Sequence, residues 1–510
     1  MSSTAHARPL GGAHAGPPEE HIPAKSELKA RSIGVTSATG LVIGSIIGTG
    51  VFAMPAVLAG AGTSSLLTLG VIAVGAMLLA VMFGQLTRRV PKSDGGMYAY
   101  ARHEFGDFAG YLTGWCYWIQ AWAGNAAIVS AWVLYVDALF GITRPSAWTN
   151  WGIALLGLWV PAVVNLAGVR NMAWFQNLTV VLKFLPLLFV GVVGWFFVSS
   201  GNFGPFNASG GSLYSAIGIA AGVALFSFIG VEVAAITAKR VRNPRRNVGR
   251  ASIYGTAASA LLYVAASAAV MGLVPHKALA ASTAPFVPAV MTIFGHSAWA
   301  GKLVAAIAVA SGIGALNGWT LVTAETSRAV ANDGLFPKFF AWSDRKDTAW
   351  LGVLLAALLP SLLMLWSYQT KVGLTVFTYL VDLTVVTVAI PYLFSAAAQL
   401  SYLVSRRRRV EGWLLARDLT IAGVGALFSM WVTFAAGFAA VYQALVLVLA
   451  GVILYAFVKA SRERTGQVAA PVDATEIPAD DAAPGPHRLH LSMLHGGRHP
   501  GQPGSTEVPS

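Results

Sequence analysis

Twelve stretches of this chain stay apolar for about 20 residues, the length that crosses a hydrocarbon core of roughly 30 Å, and they leave little sequence for anything else. They lie near 34–58, 66–88, 108–140, 148–168, 174–199, 212–238, 251–274, 298–328, 350–368, 373–404, 417–436 and 438–459. Composition agrees: 56% of the 510 residues are hydrophobic and 11% charged, against roughly 45–50% and about 25% in soluble domains. A soluble protein of this length could not cover its surface with so few charges. The sequence therefore predicts an all-α, multi-pass membrane protein.

The loops test that count independently. With the N-terminus inside, the cytoplasmic loops hold twenty Lys and Arg residues, among them Arg88, Arg89, Arg170, Arg245, Arg246, Lys338 and the run Arg406 to Arg409. The opposite loops hold four: Arg144, Lys277, Lys302 and Lys371. Such a split is the positive-inside pattern, and one missed span would scramble it. It predicts twelve spans with both termini cytoplasmic in the inner membrane, and it explains the net charge of +13 without a nucleic-acid partner. The single cysteine, Cys116, excludes an intrachain disulfide and any multi-cysteine metal site. No signal-peptide core precedes residue 31. Residues 1–31 and 462–510 are rich in Pro, Gly, Ala, Ser and His and read as disordered tails around a transporter-sized domain at 32–461. His487, His490, His495 and His499 in the second tail read as a solvated stretch of biased composition, and no metal or cofactor is expected.

Two spans carry interruptions. Span 1 contains Gly44, Gly48 and Gly50 within seven residues, and each glycine costs a helix about 1 kcal/mol relative to alanine. Span 6 contains Phe226-Ser-Phe-Ile-Gly-Val-Glu232. Close helix packing also uses small residues, but these two spans are five apart, at corresponding positions of two five-helix halves. Matched interruptions in two halves mark the midplane site of a transporter, where freed N–H groups can take a carboxylate and freed carbonyls an ammonium. An α-amino acid uses both.

Ionisable residues inside a membrane are costly and point to function. Lys183 in span 5, Glu232 in span 6 and Asp382 in span 10 are the deep ones; Asp137 and Glu325 lie nearer helix ends and read as structural. An internal salt-bridge network is the alternative reading of the first three. One lysine against two carboxylates leaves a local charge of −1, which favours a cationic amino acid or a polyamine; a protonated Glu232 would favour neutral substrates.

The motifs Ile43-Gly-Ser-Ile-Ile-Gly-Thr-Gly-Val-Phe52, Gly95-Gly-Met-Tyr-Ala-Tyr-Ala-Arg102, Phe226 to Glu232 with Arg242-Asn-Pro-Arg-Arg-Asn247, and Gly318-Trp-Thr320 near Asp333-Gly-Leu-Phe-Pro337 resemble the amino acid–polyamine–organocation superfamily. Within it, the chain is most similar to the bacterial basic amino-acid/polyamine antiporters, the arginine/agmatine exchangers in particular, over residues 32–460. The resemblance implies a LeuT-like fold: a 5+5 inverted repeat (about 33–200 and 212–404) with broken helices 1 and 6, plus two further helices at about 417–459. It implies alternating access, with exchange of arginine, lysine or ornithine for its decarboxylated amine, and a homodimer. It places the α-carboxylate on the backbone at Gly48, Thr49 and Gly50, and the α-ammonium on carbonyls of Ile46, Phe226 and Ile229. Trp319 would stack on the substrate stem, a contact worth roughly 0.5–2 kcal/mol for a cation. Gln120, Ala121 and Asn125 would meet the side-chain end, Tyr117 would gate, and Glu232 would couple protons.

The departures open alternatives. Ser45 stands for an asparagine, Phe226 for a gating tryptophan, Gln120 for an alanine and Asp382 for a serine. Asp382 could pair with a substrate ammonium or guanidinium, since charge-assisted hydrogen bonds are the stronger ones. Lys183 matches a lysine that stands, in proton-dependent relatives, where sodium-coupled ones bind sodium; a buried lysine can exchange a proton during the cycle. Proton-coupled uptake of cationic or neutral amino acids is thus the second mechanism, and a transporter-like sensor the reading from another class. No P-loop, metal cluster or catalytic triad suggests an enzyme, and Gly48-Thr-Gly50 lacks the strand and helix of a dinucleotide site.

Overall fold

Without water to satisfy its N–H and C=O groups, a chain crosses a bilayer only as helix or closed barrel, and this one is helix. The structure is a computed structural model describing residues 33–89, 96–167, 172–344, 348–405 and 412–465. Both tails, with their histidines, and Lys92, Arg170, Arg345, Lys346 and Arg406 to Arg409 lie outside the described residues. Among those described, eleven helices are long and apolar enough to span a membrane, and a bent pair makes a twelfth.

Span 1 is that pair, Val35–Ile46 and Gly50–Ala61; spans 2 to 5 are Ser64–Arg89, Asp107–Phe140, Ala147–Leu166 and Met172–Val193. Span 6 is Leu213–Phe228 followed by the short helix Val233–Ile236. Spans 7 to 12 are Pro244–Leu273, Ala298–Asn332, Trp350–Thr370, Leu374–Ser405, Gly412–Ala435 and Phe438–Thr465. Spans 3 and 6 form the interior, each with 83% of its most apolar stretch buried, while spans 11 and 12 lie at the periphery with 28% and 17%.

The chain turns where its glycines allow. Ile47 leaves the helical region with φ −75° and ψ 91°, the helix resumes at Gly50, and the two pieces meet at 51°. In span 6, Ile229 is extended, at φ −61° and ψ 132°, and Gly230 then takes φ +115°, a region closed to side-chain-bearing residues. The two interruptions touch. A Cβ on Gly230 would sit 2.8 Å from the Ser45 carbonyl carbon and 2.9 Å from the Ile46 nitrogen, so any side chain there would drive spans 1 and 6 apart.

Three contacts fix this junction in the bundle. The Tyr263 hydroxyl of span 7 donates to the Ile46 carbonyl at 2.9 Å. The Thr49 hydroxyl donates to the Ile128 carbonyl of span 3 at 3.0 Å. At the lower end of both spans, Ile33 and the segment after span 6 exchange backbone bonds, Ile33 N–H to Arg240 O at 2.8 Å and Arg242 N–H to Ile33 O at 2.9 Å.

Candidate functional site

A cleft opens where the two interruptions meet spans 3 and 8. It is lined by Ser45, Ile46, Gly48, Gly50, Val51, Gln120, Gly124, Ile128, Phe226, Ser227, Ile229 and Trp319. Of the residues expected from the sequence, Ile46, Gly48, Gly50, Gln120, Phe226, Ile229 and Trp319 line it; Thr49, Ala121, Asn125 and Asp382 do not.

The backbone of the cleft has polar groups to offer. Phe52 N–H returns to the Thr49 carbonyl at 3.0 Å, while the N–H groups of Thr49, Gly50 and Val51 take no partner among the described residues. These begin the helix Gly50–Ala61, where the dipole favours negative charge. On span 6, the carbonyls of the lining residues Ser227 and Ile229 also accept nothing among the described residues. The Ile46 carbonyl is different, because it accepts both from Tyr263 and from Gly48 N–H at 2.9 Å. It thus already carries two donors, unlike the Ser227 and Ile229 carbonyls. The Phe226 carbonyl already accepts from Ile229 N–H at 3.2 Å.

Aromatic side chains border the cleft. Phe226 packs edge-on to Phe377 of span 10, centroids 6.1 Å apart at 82°, and Trp319 lines the cleft at 8% exposure. On span 3 the lining residues Gln120, Gly124 and Ile128 recur every fourth position, one helical stripe. Ala121 and Asn125 sit one residue later, turned by about 100°. Asn125 is fully buried, and its amide oxygen and nitrogen find no partner among the described residues; the Gln120 Oε1 is likewise unpartnered and borders the cleft. From span 10 it is Thr384, not Asp382, that faces this stripe: a Cβ on Gly124 would lie 3.5 Å from Gln120 Nε2 and 3.7 Å from Thr384 Cγ2. Asp382 instead packs on Gly222 of span 6.

The other deep charges are each held separately. Glu232 accepts from the hydroxyls of Tyr117 and Tyr392, both at 2.9 Å, and from Gly230 N–H at 3.1 Å. Lys183 donates to the Gly44 carbonyl of span 1. No ion pair joins Lys183, Glu232 and Asp382 among the described residues, so the alternative of an internal salt-bridge network fails. Glu325 pairs with Arg328 at 2.7 Å, as a structural charge would.

Tyr392 and Tyr263 escape a reading of sequence, because a tyrosine in a long apolar run looks like packing. Gly124, Ile128 and Ser227 were findable: each lies one helical turn or one residue from a residue already singled out.

A polytopic helical bundle with an internal cleft, bordered by helix ends and adjoining a buried carboxylate, is the architecture of a membrane transporter. The family model for amino acid permeases matches residues 33–458. The chain belongs to the amino acid permease family. It is 33% identical to the putrescine transporter PotE of Haemophilus influenzae over 84% of this chain and 98% of that protein. It is 31% identical to the putrescine transporter PotE of Escherichia coli over 85% of this chain and 97% of that one. It is also 31% identical to the cadaverine/lysine antiporter of Escherichia coli over 72% and 82%. The protein is thus a transporter rather than an enzyme.

Proposed function

We propose that the protein exchanges a basic amino acid for its decarboxylated amine, lysine against cadaverine or ornithine against putrescine, with arginine and agmatine a further pair. The observation that carries this reading is the cleft at the paired interruptions: its lining holds Gly50 and Val51, with unpartnered N–H groups, together with Ser227 and Ile229, with unpartnered carbonyls. The first set suits a carboxylate and the second an ammonium. A diamine needs only the second, so one cleft can take both partners of the exchange. The relatives named for putrescine and for cadaverine and lysine support that substrate class.

In this reading Trp319 stacks on the substrate stem, Gln120 meets its distal end, and Phe226 and Tyr117 gate the cleft as the two halves of an inverted repeat rock. Asn125 and Ala121 back the lining stripe. Glu232 carries the coupled proton, both termini are cytoplasmic in the inner membrane, and the protein is a homodimer. The test is counterflow into proteoliposomes. Labelled lysine or putrescine should enter vesicles preloaded with cadaverine, ornithine or lysine far faster than empty ones. Accumulation in empty vesicles driven by a proton gradient would reject obligatory exchange.

A second reading, proton-coupled uptake, rests on Lys183, fully enclosed and bonded to the span-1 carbonyl of Gly44 just before the interruption. There Lys183→Met should abolish the pH dependence of flux. Unchanged pH dependence reduces Lys183 to a pin between spans 1 and 5.

A further inference from the structure

Span 7 turns one face outward from the bundle. Arg246, Arg250, Tyr254, Ala258 and Leu261 follow one another at helical spacing and are all exposed, Tyr254 at 57% and Leu261 at 76%. Charge, aromatic ring and apolar side chain succeed one another along that stripe. From Arg250 to Leu261 the helix rises about 16 Å, close to the hydrocarbon depth of one leaflet, roughly 15 Å. Arg245 flanks the charged end and is exposed as well. None of Arg245, Arg246 and Arg250 makes an ion pair or side-chain hydrogen bond among the described residues. The chain has no Asp or Glu between Glu232 and Glu325, and arginine in a first helical turn meets the positive end of the dipole. At the same end of the bundle Arg89, Arg102, Arg328, Arg417 and Arg462 each face a carboxylate.

Basic clusters beside a membrane helix attract anionic lipid, and tyrosine favours the headgroup level. We propose that this stripe binds an anionic phospholipid, with its headgroup phosphate on Arg245, Arg246 and Arg250, Tyr254 at the interface, and an acyl chain along Ala258 and Leu261. A second copy of the chain, set in the same membrane orientation with this face inward, would bring arginine against arginine, whereas a phosphate supplies the missing counter-charge. The site bears on transport through the connector before span 7. Ile33 N–H donates to the Arg240 carbonyl at 2.8 Å and Arg242 N–H to the Ile33 carbonyl at 2.9 Å, so a headgroup held on Arg245 steadies the segment where span 1 begins and span 6 ends.

Thermal unfolding and counterflow of the full chain in phosphatidylcholine, with and without phosphatidylglycerol, test it. A ligand of the folded state raises its unfolding midpoint, so phosphatidylglycerol should raise the midpoint by several degrees and the exchange rate several-fold. Arg245→Gln/Arg246→Gln/Arg250→Gln should match the wild type in phosphatidylcholine alone and lose both responses. Arg250→Gln by itself should weaken both, and Arg245→Lys/Arg246→Lys/Arg250→Lys, which keeps the charge, should retain most of each. Arg88→Gln/Arg464→Gln removes two exposed arginines from the same end and should respond as the wild type does. An equal loss in that pair would assign the effect to general surface charge and overturn the site. A wild type indifferent to phosphatidylglycerol, a full response in the triple glutamine variant, or equal stabilisation by inorganic phosphate in phosphatidylcholine would overturn it too. The unfolding midpoint involves no substrate, so a failure there leaves the exchange of amines untouched.

Discussion

The ring of Phe226 lies on the bare backbone of Gly50: a Cβ there would sit 2.6 Å from Phe226 Cε1 and 3.1 Å from Cδ1. The first residue of the helix that resumes after one interruption thus seats the aromatic side chain that precedes the other. Because Phe226 in turn packs on Phe377, spans 1, 6 and 10 meet at one ring bordering the cleft.

Gly50→Ala should therefore displace that ring. The added methyl cannot be absorbed by backbone movement without parting spans 1 and 6, so exchange is expected to fall at least tenfold. Combining it with Phe226→Leu should recover part of the loss. Equal loss in the single and double variants, measured by counterflow, would mean the glycine matters for helix geometry and not for seating the ring.

Tyr263→Phe removes one of the two donors on the Ile46 carbonyl. A net hydrogen bond of this kind contributes about 1 kcal/mol, and Gly48 N–H remains. A modest drop in thermal stability is expected, together with a several-fold weaker apparent affinity for substrate, because the interruption loses its hold on span 7. Stability falling with unchanged affinity would separate Tyr263 from the site.

Glu232→Gln keeps the shape of the site at the junction but removes a charge on which three donors converge. If the carboxylate carries the coupled proton, exchange rates measured across the acidic to neutral range should become independent of pH in the variant. A profile parallel to wild type would assign the cluster of Tyr117, Tyr392 and Gly230 to structure alone.

Asp418 is a stability position. It is 5% exposed and accepts from Gln85 Nε2 at 2.8 Å, Arg89 Nη2 at 2.9 Å and Arg417 Nη2 at 2.8 Å. Asp418→Asn leaves the Arg89 guanidinium, 10% exposed, short of its counter-charge, and breaking a buried pair in this way costs about 3–5 kcal/mol. Thermal unfolding of the purified protein should shift well downward. An unchanged midpoint would show that Tyr402, whose ring lies 5.1 Å from Arg89, suffices.

The spans and the interruptions were legible because length, hydropathy and glycine clustering act locally. Gly44, Gly48 and Gly50 weaken a helix wherever they occur, and Gly230 can turn the chain whatever surrounds it. The lining of the cleft was legible to within one helical step. Gln120 and Asn125 are five residues apart, and which one faces the cleft depends on the rotation of span 3 against spans 8 and 10, a tertiary quantity. The same holds for Asp382 and Thr384, two residues and about 200° apart. The hydrogen bond from Tyr263 to the Ile46 carbonyl joins two residues 217 positions apart, which no pattern along the chain encodes.

Whether the cleft is where substrate sits can be read most directly from chemical protection. Cys116 is the only cysteine, so Cys116→Ser gives a background free of thiols, into which Ser227→Cys puts a single small thiol at the cleft wall. Alkylation of that thiol in proteoliposomes should be slowed several-fold by putrescine, cadaverine or lysine, and not by glutamate. Alkylation unaffected by every one of these amines would contradict the assignment of the cleft as the transport site.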